Sequence, residues 1–160
     1  MSRTERSELL LGKAGEDFNP DTDIVAYDDM LEIDRWIVAE TNKLVKQCLE
    51  AYEEYEFHIV YHAINKFCTI ELSKLYIDIT KDRLYVEAKG SETRRAAQTA
   101  IYKILDTLAR LVSPILAFTA DEIWQFMPHD ATRNNEHVIL NDYPSLTGVN
   151  VDDGFTAKWE

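Results

Sequence analysis

The side chains best suited to holding an anion cluster in one stretch: Lys81-Asp82-Arg83, then Lys89, then Arg94-Arg95 with Gln98 one turn on. Residues 81–103 carry six basic side chains against three acidic ones. A guanidinium presents a planar donor fork and an ammonium a point charge, and both fit phosphate oxygens. The start of a helix adds outward-pointing N–H groups. Arg94 and Arg95 fall in the first turn of a predicted helix, where the helix dipole disfavours cations. An anion partner or an internal carboxylate would offset that cost. Two readings follow. In one, Lys81, Arg83, Lys89, Arg94, Arg95 and Gln98 form an RNA-contact surface. In the other, the arginines pair with Glu71, Asp78 or Asp82 inside the protein, and on spacing alone this is the simpler reading.

No other pattern assembles a catalytic site. The chain has no phosphate-binding glycine loop of the Walker or GxGxxG kind and no GxSxG elbow. His58 and His62 share a helix face, as two metal ligands would. Ile59 stands where a zinc-protease helix carries its Glu, so a packed or hydrogen-bonded pair is the better expectation. A carboxylate-bridged metal pair in a bundle needs Glu-x-x-His motifs, and none occurs. Glu71 lies within an apolar stripe between Cys68 and Leu75. A carboxylate there needs a partner, expected to be an arginine on a facing helix.

These residues must be carried by helices. The 160 residues are 46% hydrophobic and contain only 5 Gly and 4 Pro, too few for the frequent turns of a many-stranded sandwich. The net charge of −12 argues against nucleic acid, but its distribution is uneven. Residues 16–56 sum to −10 and residues 119–160 to −6, whereas residues 66–118 sum to +3. A basic island in an acidic chain concentrates field where it matters. No apolar run reaches membrane-spanning or signal-peptide length. Cys48 and Cys68 form no CxxC, which fits a reduced, cytoplasmic protein.

The periodicity predicts an all-α antiparallel bundle with irregular ends. Ser2 and Glu5 would cap a short leading helix closed by Gly12. Residues 1–28 then form that helix and a turn-rich connector, residues 29–128 the bundle, and residues 129–160 an irregular segment. Asp29 and Glu32 have capping-box spacing for the first long helix. A wide apolar stripe over residues 57–79 predicts a central, well-buried second helix. Leu84-Tyr85-Val86 is either helical or extended. Ser91 caps a third long helix that Ser113-Pro114 interrupts. Thr119 and Glu122 form a capping box with Phe118 and Ile123 at staple spacing, and Pro128 ends that helix. Residues 129–160 hold at most a short strand, at His137-Val138-Ile139-Leu140. Trp36, Phe67 and Trp124 are assigned to the core.

Several stretches together carry a family resemblance: Leu31-Glu32-Ile33-Asp34-Arg35-Trp36; Phe67-Cys68-Thr69-Ile70-Glu71-Leu72-Ser73; Lys81-Asp82-Arg83-Leu84-Tyr85; Arg94-Arg95-Ala96-Ala97-Gln98-Thr99; and Ser113-Pro114-Ile115-Leu116-Ala117-Phe118-Thr119-Ala120-Asp121-Glu122-Ile123-Trp124. In this order they closely resemble the anticodon-binding helical domain of isoleucyl-tRNA synthetase, a class I aminoacyl-tRNA synthetase. Residues 114–124 are shared with the valyl and leucyl enzymes. Residues 81–85 with 94–99 point to the isoleucyl member. Lys13-Ala14-Gly15-Glu16 departs from the family's usual continuation of the leading helix.

The resemblance implies a domain with no catalytic residues or cofactor of its own. It would hold isoleucine tRNA by the anticodon stem and loop while a separate catalytic domain, using ATP and Mg2+, aminoacylates the acceptor end. The editing domain and a zinc-bearing tail would likewise lie elsewhere in the parent chain. The alternatives are the equivalent valyl or leucyl domain, a helical protein-interaction module using the acidic surface, or a small metal enzyme built on His58 and His62.

Overall fold

The computed structural model describes residues 18–145, and every regular element among them is helical. The stretch expected to form a leading helix and the Lys13-Ala14-Gly15-Glu16 departure lie outside these residues. A 3-10 turn, Tyr27–Asp29, leads into α1, Glu32–Glu53. The chain then folds back into α2, Phe57–Lys66. Helical backbone continues without a break through a π-helical segment, Phe67–Ile77, into α3, Asp78–Tyr85. Next come α4, Glu92–Val112, and α5, Ala117–Phe126, followed by a 3-10 turn, Val138–Leu140.

The turn between α1 and α2 shows how the chain reverses. Glu56 N–H donates to Ala51 O at 2.8 Å and Tyr55 N–H to Tyr52 O at 3.1 Å. This pair of bonds satisfies the last carbonyls of α1 in a Schellman arrangement. Tyr55 occupies the left-handed position, at φ 58°, that usually belongs to glycine.

The central helix is α4, contrary to the expectation for residues 57–79. Thirteen of its residues are buried, on nearly every side. Ala96, Ala97, Ala100 and Ala109 are almost wholly covered, and their small side chains let neighbouring backbones approach. The rod formed by α2, the π segment and α3 is peripheral. Its anchors are Val60, Phe67, Tyr76, Thr80 and Leu84, while Tyr61, Ile70 and Ile79 face outward. A wide apolar stripe marks the faces a helix could bury, and here only one of them has a partner.

Two clusters of apolar side chains make up the core. Trp36, Ile37, Cys48, Val60, Phe67, Tyr76, Ile104 and Leu111 belong to the larger. Phe18, Tyr102, Ala120, Trp124 and Val138 belong to the smaller. Trp36, Phe67 and Trp124 are core residues as expected.

Helix starts differ from their sequence signals. The Asp29–Glu32 box does not form: Asp29 lies in the 3-10 turn, and Leu31 is the N-cap with no side-chain bond. Ser91 is the N-cap of α4, but its hydroxyl donates to the Glu87 carboxylate at 2.7 Å. The Thr119–Glu122 box is also overturned. Leu116 is the N-cap of α5, Thr119 lies inside the helix, and Phe118 is 93% exposed. The cause is the tight turn at Pro114, where Ile115 and Leu116 N–H both donate to Val112 O, so helix resumes at once. The helix ends before Pro128, as expected.

Leu84 and Tyr85 are helical, and residues 138–140 form a 3-10 turn, so no strand occurs there among the described residues. The segment after α5 is irregular yet firmly tied. Arg133 bonds the buried Asp106 at 3.0 and 3.2 Å, and Arg110 donates to Asp142 O at 3.2 Å. Trp124 Nε1 donates to Asn134 O at 3.0 Å.

Candidate RNA-contact surface

The basic island divides into side chains consumed by the fold and side chains left at the surface. Arg83, on α3, reaches Asp34 on α1 through two parallel bonds, Nη2 to Oδ1 at 2.6 Å and Nη1 to Oδ2 at 2.9 Å. The Tyr76 hydroxyl donates to the same Asp34 Oδ1 at 2.7 Å, and Arg83 Nη1 also reaches Thr93 O at 3.3 Å. Asp34 is fully buried and the Arg83 side chain is 13% exposed. Burial opposes the charged guanidinium, but the hydrogen bonds and charge of Asp34 outweigh it and hold Arg83 protonated. Burial and the adjacent Asp34 charge push the Tyr76 phenol well above its ordinary range, so it stays a neutral donor. One buried carboxylate thus joins α1, the π segment and α3, which is the internal pairing that sequence spacing had left open, with a different acid.

Arg94 is buried as well. Its Nε donates to Leu84 O at 3.2 Å and its Nη1 to Lys89 O at 3.4 Å. These are carbonyls at and beyond the end of α3, which have no helical partner. Gln98 is 4% exposed, and its Oε1 accepts from Arg95 Nη1 at 3.1 Å. Arg95 also lies 3.4 Å from Asp23, with about a fifth of its side chain exposed. Lys81 and Lys89 are exposed. Lys81 bridges Asp78 at 3.0 Å, and that contact raises its pKa. Of the six sequence candidates, Lys81, Lys89 and the rim of Arg95 are therefore presented to solvent. Arg83, Arg94 and Gln98 build the scaffold behind them.

Glu71 departs from expectation. Its Oε1 lies 3.7 Å from Lys66 on the same rod, and its buried Oε2 has no hydrogen-bond partner. Its charged partner is thus a lysine one turn away and not the expected arginine of a facing helix. His58 and His62 are both exposed, and His62 meets the edge of Tyr61, with ring centroids 5.7 Å apart. Among the described residues no three His, Cys, Asp or Glu side chains gather as a metal site.

A cavity of about 480 Å3 opens between α1, α4 and the segment after α5, lined by Thr41, Asn42, Lys103, Asp106, Arg110 and Arg133. Asp106 accepts from both Arg110, at 2.5 Å, and Arg133, so much of its charged lining is spent internally.

Sequence reasoning missed the outer face of the rod. Its exposed residues recur as neighbouring pairs: Tyr61 and His62, Asn65 and Lys66, Thr69 and Ile70, Ser73 and Lys74. The available signal was charge, since residues 57–77 hold a single carboxylate, Glu71.

Residues 34–158 match the family described as the anticodon-binding domain of tRNA ligase. The isoleucine–tRNA ligase of Caldanaerobacter subterraneus is 46% identical over 154 residues, covering 96% of this chain and 16% of that protein. That of Desulforamulus reducens is 49% identical over the same share of both chains. That of Syntrophotalea carbinolica is 51% identical over 79% of this chain and 13% of its own length. The chain therefore spans only about 13–16% of the length of these relatives.

Proposed function

Because the chain belongs to the anticodon-binding domain family of tRNA ligases, we propose that it holds the anticodon stem and loop of an isoleucine tRNA while a separate catalytic domain aminoacylates the other end. The observation that carries this reading is the high identity to isoleucine–tRNA ligases across nearly the whole chain. It also favours isoleucine over valine or leucine, and an RNA partner over a module that binds protein alone. The contribution of this domain is positional: phosphate contacts fix the register of the tRNA, so that the acceptor end arrives oriented.

In this reading ATP with Mg2+, any zinc, the editing function and the ligase chemistry belong to the rest of the parent protein. The described residues gather no metal ligand set, and no step is assigned to them. Cytoplasmic location is part of the same proposal. No helix among the described residues is long and apolar enough to cross a membrane.

Lys81, Lys89 and Arg95 supply phosphate contacts; Arg83 and Arg94 hold the backbone that presents them, and Gln98 orients the Arg95 side chain. The test is a titration of the chain with isoleucine tRNA and a non-cognate tRNA at several salt concentrations. Binding should weaken with salt, by about 0.7–0.9 in log–log slope for each phosphate contact. The double variant Lys81→Glu, Lys89→Glu should lower that slope by about 1.5. An undiminished slope removes these lysines from the interface. No binding at low salt overturns RNA holding by this chain.

A further inference from the structure

The outer face of the rod has properties that the basic island lacks. Over residues 61–74 the side chains turned to solvent are Tyr61, His62, Asn65, Lys66, Thr69, Ile70, Ser73 and Lys74. None of them is acidic, in a chain with 29 carboxylates. The single acid of the stretch, Glu71, is turned inward. Tyr61 is 54% exposed and sits edge-on to His62, so two flat rings stand in solvent at one end. The Lys66 side chain is 69% exposed and forms a long ion pair of 3.7 Å with Glu71 Oε1.

Backbone geometry keeps these groups in line. The exposed pairs recur every four residues. A step of four oversteps the turn of about 3.6 residues in an α-helix, so the stripe winds one way along α2. The same step falls short of the wider i→i+5 turn of the π segment, so there it winds back. The result is one long face in place of a spiral.

We propose that this face is where the RNA loop lies, with Tyr61 and His62 stacking on unpaired bases, Asn65 bonding a base edge, and Lys66 and Lys74 holding phosphates. The proposal rests on the reading that the chain binds tRNA, and it names where. Stacking on aromatic rings together with edge hydrogen bonds is how unpaired RNA bases are recognised. The absence of carboxylates supplies the charge complementarity that most of this acidic surface denies to RNA. Lys81 extends the same rod, Lys89 lies in the turn just beyond it, and both would meet the backbone further along the stem.

The experiment measures binding of the chain to an isoleucine anticodon stem–loop hairpin and to a fully paired hairpin of the same length. It compares the unaltered protein with Tyr61→Ala/His62→Ala, Lys66→Glu/Lys74→Glu and Lys81→Glu/Lys89→Glu. All these positions are solvent-facing, so circular dichroism should show an unchanged fold. We expect the aromatic pair variant to weaken stem–loop binding about tenfold and to lose the preference over the paired hairpin. The Lys66/Lys74 variant should lower the salt slope by about 1.5. Full affinity and preference in both variants, with loss confined to Lys81/Lys89, would overturn the stripe and leave RNA binding by the chain intact. Unchanged RNA binding with an altered sedimentation coefficient would assign the stripe to a protein contact and overturn it equally. Failure of the unaltered protein to bind either RNA at low salt would overturn both readings.

Discussion

Arg83 grips Asp34 through two hydrogen bonds of 2.6 and 2.9 Å, across 49 positions of sequence. Asp34 has no exposed surface, and its carboxylate is held by that fork and by the Tyr76 hydroxyl. Removing Arg83 leaves Asp34 buried without its cation, and removing Asp34 leaves Arg83 without its carboxylate, which costs about 3–5 kcal/mol. Arg83→Ala and Asp34→Ala should each lower the unfolding free energy by that amount in urea titrations. Arg83→Lys should lose part of it, because an ammonium cannot reproduce the fork. The salt slope of RNA binding by folded Arg83→Lys should stay unchanged. A reduced slope would show that Arg83 contacts phosphate after all.

Tyr55 holds a left-handed backbone at φ 58° with its ring 81% exposed. A non-glycine residue there costs about 1–2 kcal/mol, and the exposed side chain returns little of it. Tyr55→Gly should therefore raise stability by about 1 kcal/mol, seen as a higher melting temperature. A lower melting temperature would mean that the edge contact of Tyr55 with Phe57 contributes more than the strain costs.

Among the described residues, three carboxylates are held below their ordinary range. Asp121 is lowered by hydrogen bonds from His137 and from Val138 N–H. Burial opposes ionisation of Asp130, but bonds from the Thr132 hydroxyl and N–H and from Tyr102 prevail. Glu87 is lowered by the Thr93 and Ser91 hydroxyls. A depressed folded pKa gives stability that is complete above the unfolded value and lost as pH falls through the folded one. Acid destabilisation should therefore begin below the model-compound values of 4.5 for Glu and 3.8 for Asp. Asp121 and Asp130 tie down the segment after α5, so the indole N–H resonance of Trp124, bonded to Asn134 O, should respond early. Asp121→Asn should flatten the acid limb of the pH–stability curve. An unchanged limb would show that His137 and Val138 add nothing to folding.

Cys48 is fully buried, and burial pushes its thiol up to about 11. Cys68 is partly buried and raised by burial and by Glu71. Thiolate is the reactive form, so alkylation of the native protein at neutral pH should be slow at both and slower at Cys48. Denaturation should release both. Rapid native labelling of Cys48 would reveal an opening of α1.

The spacing of apolar residues, the scarcity of glycine and proline, and the breaks at Pro114 and Pro128 determined an all-helical chain. Trp36, Phe67 and Trp124 were legible as core because large aromatics on apolar stripes have few other places to go. The family, too, could be read from the order of short stretches. These are local or linear properties, and the sequence expresses them directly. Tertiary structure decided which charges remain available. Asp34, in the acidic region, takes Arg83 from the basic one, and no local spacing links positions 49 apart. Arg94 and Gln98 are RNA-contact candidates by residue type and spacing, but α4 is the buried centre of the bundle. Whether an apolar stripe is covered depends on how many helices pack on it, so the rod that read as central became the outer wall. Its exposed face emerged only when α and π turns were placed in one continuous helix. Sequence set which helices form, and packing set which of their faces could meet a partner.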